Sequence, residues 1–228
     1  MSDIKPNPLT NDSLRIPLER LVSEQKGRQW KVKESKIMAD FACHPAAILS
    51  DGSYSVFAKY IEAANGYEQF EIELSGLRLL SKRAGVLTPT PIGIVSVRGS
   101  GSILVLETVQ AVDRTPLRWR QIGQALARIH KNKWDRFGLE TNGYIGNLHL
   151  DNTPSSDWAT FYAERRLWPG LRLAIDSGNM PPAVIRQVEK LIERVPGLCG
   201  LEPVPTLLHG DAQQNNFMPA GLRSLIWA

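Results

Sequence analysis

Residues 207–216 read Leu207-Leu208-His209-Gly210-Asp211-Ala212-Gln213-Gln214-Asn215-Asn216. A short apolar run, Thr206 to Leu208, is broken by His-Gly-Asp, and Asn216 stands five positions beyond Asp211. This pattern reads as a buried strand rising into a loop. Such a loop can present a carboxylate and an amide oxygen to one small volume. Phosphoryl transfer uses that combination: the carboxylate accepts or orients a substrate hydroxyl proton, and the amide oxygen holds the metal that neutralises the phosphates. An Asx-rich turn, whose side chains only satisfy backbone donors, accounts for the same letters. The rest of the chain must choose between the two.

Working back from the loop, residues 115–198 carry helical spacing. Thr115-Pro116 is a cap and first-turn pair, and Ile122, Ala125, Leu126 and Ile129 follow at i, i+3, i+4, i+7, ending at His130. Asn132 to Asn152 is irregular and Gly-bearing. Ser155 and Ser156 cap a helix with Trp158, Phe161 and Tyr162, which Pro169 must kink or end. Pro181-Pro182 opens a further helix with Val184, Ile185, Val188, Leu191, Ile192 and Val195 as its stripe, stopped by Pro196-Gly197.

The front half differs. After a polar leader (residues 1–12) and a short helical pattern over Ser13–Ser23, strand-like runs cover Trp30–Met38, Ala46–Ser50 and Tyr54–Tyr60. Asp51-Gly52 marks a hairpin turn, and Lys59 closes its second strand. Asn65-Gly66 breaks the chain before a helix with Phe70, Leu74, Leu77 and Leu80/Ser81 on one face, closed by Gly85. Pro89 and Pro91 hold the next segment extended. A second hairpin, Ile92–Val97 and Ile103–Leu106, turns at Gly99-Ser100-Gly101. Glu107-Thr108-Val109-Gln110 leaves it as a hinge between lobes.

A lysine at a strand end can reach the α and β phosphates of a nucleotide, and a glutamate on the next helix can hold it there. Lys59 and Glu73 are that pair, with Glu68 and Glu71 as competitors. A strand-end lysine taken alone is more often a solvated edge charge. The loop Ala39–Pro45 lies where a phosphate-covering loop belongs, yet it contains no Gly. Cys43-His44 has no further ligands in sequence and reads as loop packing rather than a metal pair. His130 reads as a helix-end donor. No Gly-x-Ser-x-Gly elbow occurs, so serine-hydrolase chemistry has no support.

Composition excludes other classes. The 228 residues are 43% hydrophobic and 22% charged, enough for a core and too apolar for disorder. Net charge is +4, from 27 basic and 23 acidic residues. That suits an anion-binding cleft without requiring nucleic acid. Two cysteines, Cys43 and Cys199, make no disulfide framework. The first eighteen residues lack a signal-type apolar core and no run is long enough to span a bilayer. A cytoplasmic monomer without membrane or nucleic-acid partners is expected.

The Asp-to-Asn spacing matches a protein-kinase catalytic loop, and Val56-Phe57-Ala58-Lys59 is similar to the kinase strand-three signature. Five stretches taken together carry a closer likeness: Phe70–Leu77, Gly123–His130, Asn142–Gly146, Trp158–Leu167 and Leu207–Asp211. From about Trp30 to Phe217 the chain resembles the fructosamine (ketosamine) kinase family, within the aminoglycoside phosphotransferase-like kinases. The resemblance implies a bilobal, protein-kinase-like α+β fold. Residues 1–109 would form an N-lobe of hairpins and one helix, and 110–228 a mostly helical C-lobe. It implies an ATP- and Mg²⁺-dependent kinase acting on the sugar hydroxyl of a glycated amine, with an aminoglycoside-type acceptor as the alternative. Asp211 would be the catalytic base and Asn216 a magnesium ligand. Lys59 and Glu73 would position the phosphates, and Glu107 and Val109 would hold the base at the hinge.

Two departures stand against it. Ala-Gln-Gln-Asn separates Asp211 from Asn216 where the family has Leu-Trp-Ser-Gly. The family continues through a short hairpin to an Ile-Asp-Pro whose Asp is a second metal ligand, whereas no Asp follows Asp211 here. A C-terminally incomplete kinase, weakly active or serving only as a nucleotide-binding remnant, is therefore the expectation.

Overall fold

The protein is described by a computed structural model over residues 7–38, 44–146, 148–198, 203–220 and 223–226. Residues 39–43, most of the expected phosphate-covering loop, lie outside these, as do both cysteines. Two compact units are present: residues 1–129 together with 209–228, and residues 130–208.

The first unit is a five-stranded antiparallel sheet flanked by helices. Strands β1 (Glu34–Ile37), β2 (Ala46–Ser50), β3 (Ser55–Ile61), β4 (Pro91–Val97) and β5 (Gly101–Glu107) lie in the order β1-β2-β3-β5-β4. Helix α1 (Asp12–Lys26) and helix α2 (Gly66–Ala84) serve its two faces. Side chains alternate across a strand, and β3 shows the consequence. Val56, Ala58 and Tyr60 join a core with Leu14, Leu18, Val22 and Trp30. Phe57 and Ile61 turn the other way, to Phe70, Leu74 and Leu77 of α2. Each large apolar side chain removed from water this way contributes about 1.5–3 kcal/mol.

The front half therefore has two sheet-packed helices where the sequence pattern showed one and a short helical stretch. The first expected strand is also shorter. Trp30 donates its backbone N–H to Ser23 Oγ (2.9 Å) and Val32 donates to Glu19 Oε1 (3.0 Å). Side chains of α1 thus take donors that a strand partner would need, and regular pairing begins only at Glu34.

Helix α3 (Pro116–His130) follows the hinge, and β8 (Phe217–Ala220) and β9 (Arg223–Ile226) form a hairpin immediately after Asn216. Backbone bonds tie that hairpin into the first unit: Val112 N–H to Pro219 O and Ile226 N–H to Leu87 O, both 2.9 Å.

In the second unit, the segment expected to be irregular contains a small hairpin, β6 (Gly143–Ile145) and β7 (Leu148–Leu150). Helix α4 (Trp158–Tyr162) passes through a π turn, Ala163–Leu167, into α5 (Trp168–Asp176). Pro169 neither ends the helix nor leaves a carbonyl bare, because Arg166 Nη1 donates to Arg165 O at 2.8 Å. Helix α6 (Pro182–Leu198) runs through Pro196 rather than stopping there. Proline removes only one donor this near the end, and buried Ile192 and Val195 hold the preceding turn in place. Arg165 pairs with Asp151, and Arg166 with Asn152, fastening the end of β7 to the π turn.

Two glycine and turn positions yield tests. Gly101 has φ +89°, and a Cβ there would collide with the carbonyl of Ile61. Gly101→Ala should destabilise the protein by about 2 kcal/mol or more in urea unfolding. Asp51 Oδ1 accepts from the N–H groups of Ser53 (2.8 Å) and Tyr54 (2.7 Å), and Oδ2 from Arg28 (2.8 Å). Burial alone would raise this carboxyl, but those donors outweigh it and hold it far below the usual carboxylate range. Its stabilisation is then present above the unfolded value of about 3.9 and lost as pH falls toward the folded one. Asp51→Asn should lower Tm at neutral pH, and the gap from wild type should close as melts are repeated at more acid pH.

Candidate active site

Lys59 lies on the α2 face of β3, between Phe57 and Ile61, and α2 presents Glu73 one turn from Phe70 and Leu77. The result is an ion pair, Lys59 Nζ to Glu73 Oε2, at 2.7 Å, with the side chains 19% and 14% exposed. Both charges are thus partly desolvated, and a charge-assisted bond in that setting fixes the ammonium. Glu68 and Glu71 are exposed to solvent.

Asp211 sits in the loop that precedes β8. Gly210 adopts φ +88°, a left-handed turn that redirects the chain after His209. The Asp211 N–H donates to His209 Nδ1 at 3.2 Å, and the His209 ring lies 4.9 Å from that of Phe217. A 3-10 turn over Gln214–Asn216 brings Asn216 back, so that its Nδ2 donates to Asp211 O (2.8 Å) and Asp211 Oδ2 (2.9 Å). Gln213 Nε2 donates to the same oxygen at 3.0 Å. With Oδ2 occupied twice, Oδ1 is the oxygen left for an incoming donor. Asn216 uses its amide N–H groups on Asp211, and among the described residues no hydrogen bond takes its side-chain oxygen.

Arg114, just before α3, donates to the carbonyls of Gln214 (2.8 Å) and Phe217 (3.3 Å). It thereby ties the loop to the segment leaving β5. On that segment Glu107 donates its N–H to Thr90 O (2.9 Å), and its carboxylate accepts from Tyr54 Oη (3.2 Å). Among the described residues, no main-chain group takes the N–H or C=O of Val109. The buried Thr108 hydroxyl also lacks a partner among the described residues.

Within the first unit, then, Lys59 is joined to Glu73 and Asp211 to Asn216, and the hinge residues occupy the end of β5. No role was read from the sequence for Gln213, Arg114, the His209 ring or the Thr108 hydroxyl. Gln213 lies two residues from Asp211, close enough for neighbourhood to have suggested it. Arg114 acts across about a hundred residues, and an orphaned hydroxyl has no local signature. The Ala39–Cys43 part of the loop lies outside the described residues. Among the described residues no helix is long and apolar enough to cross a membrane.

A sheet carrying a Lys–Glu pair with its helix, followed by a His-Gly-Asp loop, defines a protein-kinase-like α+β protein. The structure of a thermostable mutant of aminoglycoside phosphotransferase APH(4)-Ia shares this fold, with a TM-score of 0.61 over 92% of this chain and 70% of that one at 14% identity. A Haemophilus somnus protein provisionally named fructosamine-3-kinase superposes with a TM-score of 0.80, covering 93% of this chain and 71% of that one at 20% identity. The fructosamine kinase profile matches residues 17–223, and the chain belongs to the fructosamine kinase family. It is 31% identical over 199 residues to a "probable ketoamine kinase" of Synechocystis sp.. That match covers 86% of this chain and 65% of the relative, so the chain spans just under two thirds of that protein's length.

The ion pair is open to direct measurement. Lys59→Met and Glu73→Gln each strand one half-buried charge, so a double-mutant cycle in urea unfolding should show about 1–2 kcal/mol of coupling. Strictly additive losses would mean the two side chains do not support one another.

Proposed function

We propose that the protein is an ATP-dependent kinase that transfers the γ-phosphoryl group to a sugar hydroxyl of a glycated amine of fructosamine or ketosamine type. The carrying observation is the pairing of Lys59 with Glu73 in the compact unit that also holds the hydrogen-bonded Asp211 and Asn216. The profile match and the ketoamine kinase relative support the acceptor class.

In this reading residues 1–109 are the nucleotide lobe and 110–228 carry the transfer chemistry. Lys59 grips the α and β phosphates, held by Glu73 so that no ordering is required when the nucleotide arrives. The free main-chain groups at Val109 and the unpartnered Thr108 hydroxyl face the base, beside Glu107. Asp211 Oδ1 accepts the acceptor's hydroxyl hydrogen. The hydroxyl oxygen then bonds to the γ phosphorus as the bond to the β-phosphate oxygen breaks and ADP leaves. The metal fits the donor set present: Asn216 offers a neutral amide oxygen next to a carboxylate, hard ligands of the kind Mg²⁺ takes alongside phosphates and water. When bound, Mg²⁺ would neutralise charge on the transferring group. The protein acts as a cytoplasmic monomer on a small molecule, with no nucleic-acid partner.

A coupled ADP-release assay on a fructosamine acceptor, with an aminoglycoside as competitor substrate, tests the reading. Asp211→Asn should reduce kcat about 10²–10⁴-fold while leaving ATP affinity nearly unchanged. ATP binding by wild type without transfer to either acceptor would instead assign a non-catalytic nucleotide-binding role.

A further inference from the structure

His44 belongs to the Cys-His pair that the proposed chemistry leaves unused. It precedes β2 by two residues, and β2 pairs with β3 so that Ala46 faces Lys59. The pairing carries on backward, because Tyr60 donates its N–H to Pro45 O at 2.9 Å. Period-two alternation therefore puts His44 on the same side of the sheet as Ala46 and Lys59. The electrostatics agree independently with this placement. The charges acting on the imidazole are those of Lys59 and Glu73, the two members of the ion pair.

The side chain is half-buried. Burial first, and Lys59 second, push its pKa below the ordinary histidine value, against a smaller opposing pull from Glu73. At neutral pH it is thus an uncharged imidazole with one N–H to donate. Among the described residues no hydrogen bond uses that donor. The loop to which it belongs, Ala39–Pro45, contains no glycine. Close backbone approach to a nucleotide, the usual source of phosphate-binding N–H groups, is what glycine permits.

We propose that His44 is a further phosphate-binding residue of the nucleotide site, donating its imidazole N–H to the phosphate chain gripped by Lys59. The inference rests on the kinase reading above and assigns a side-chain donor where a glycine-rich loop would supply main-chain ones. Lys59 and Glu73 remain the pair that orders the site, and His44 adds a second donor on their flank.

Isothermal titration of the full chain with ATP, ADP and adenosine tests it. His44→Ala should weaken ATP and ADP binding about tenfold, as expected for one hydrogen bond to a charged group, and leave adenosine binding unchanged. His44→Gln, which keeps a donor, should recover most of the loss. Acidification from neutral pH would protonate the wild-type imidazole beside a polyanion, so wild-type ATP affinity should gain on lowering pH by more than that of His44→Gln. Equal ATP affinities in wild type and His44→Ala would overturn the assignment, and so would a loss that extends equally to adenosine. A wild-type chain that binds no ATP would overturn the kinase reading itself, and His44's role with it.

Discussion

Strand β3 has a helix on each side, and its alternation governs what the first unit can do. Val56, Ala58 and Tyr60 are committed to the α1 core, which leaves Phe57, Lys59 and Ile61 for the α2 face. Lys59 cannot move to the other face without carrying the whole strand with it, since a one-residue slip would invert every side chain. Glu73 is held just as firmly, because Phe70, Leu74 and Leu77 set the rotation of α2. The ion pair is therefore a by-product of two apolar cores, and its geometry is as stiff as they are.

A different physics holds the Asp211 loop. Few apolar contacts are available there, and Asp211 itself is exposed. Order comes from hydrogen bonds: the positive φ at Gly210, the His209 ring under the Asp211 N–H, and the Asn216 amide clasping both the carbonyl and carboxylate of Asp211. Arg114 then joins the loop to the hinge segment, and the β8–β9 hairpin anchors the far side. One compact unit thus holds both a lysine fixed by apolar packing and a carboxylate held by hydrogen bonds.

Much of this was legible from residue order. The hairpin turn at Asp51-Gly52, the strand Ala46–Ser50, the capped helix ending at Gly85 and the Thr115-Pro116 helix start all follow from local chemistry that tertiary packing did not override. Glu73 lies beside the apolar stripe of α2, and burial of that stripe is what brings it, rather than Glu68 or Glu71, to Lys59. Other features were illegible because their causes are distant or unusual. Trp30–Lys33 has strand-like letters, but Ser23 and Glu19 take the backbone donors of Trp30 and Val32. Pro169 reads as a kink or an end, yet the helix continues through a π turn and the Arg166 guanidinium takes the Arg165 carbonyl.

Local periodicity and turn chemistry thus determined most of the helices and hairpins, the motif stretches carried the family resemblance, and the Asp211–Asn216 spacing set two groups within one short loop. Only the folded chain decided which faces α1 and α2 cover, where the compact units divide, and that Arg114 holds a loop a hundred residues away. The reason is physical: contacts between near neighbours are constrained by backbone geometry, whereas distant ones depend on which apolar surfaces can be buried together.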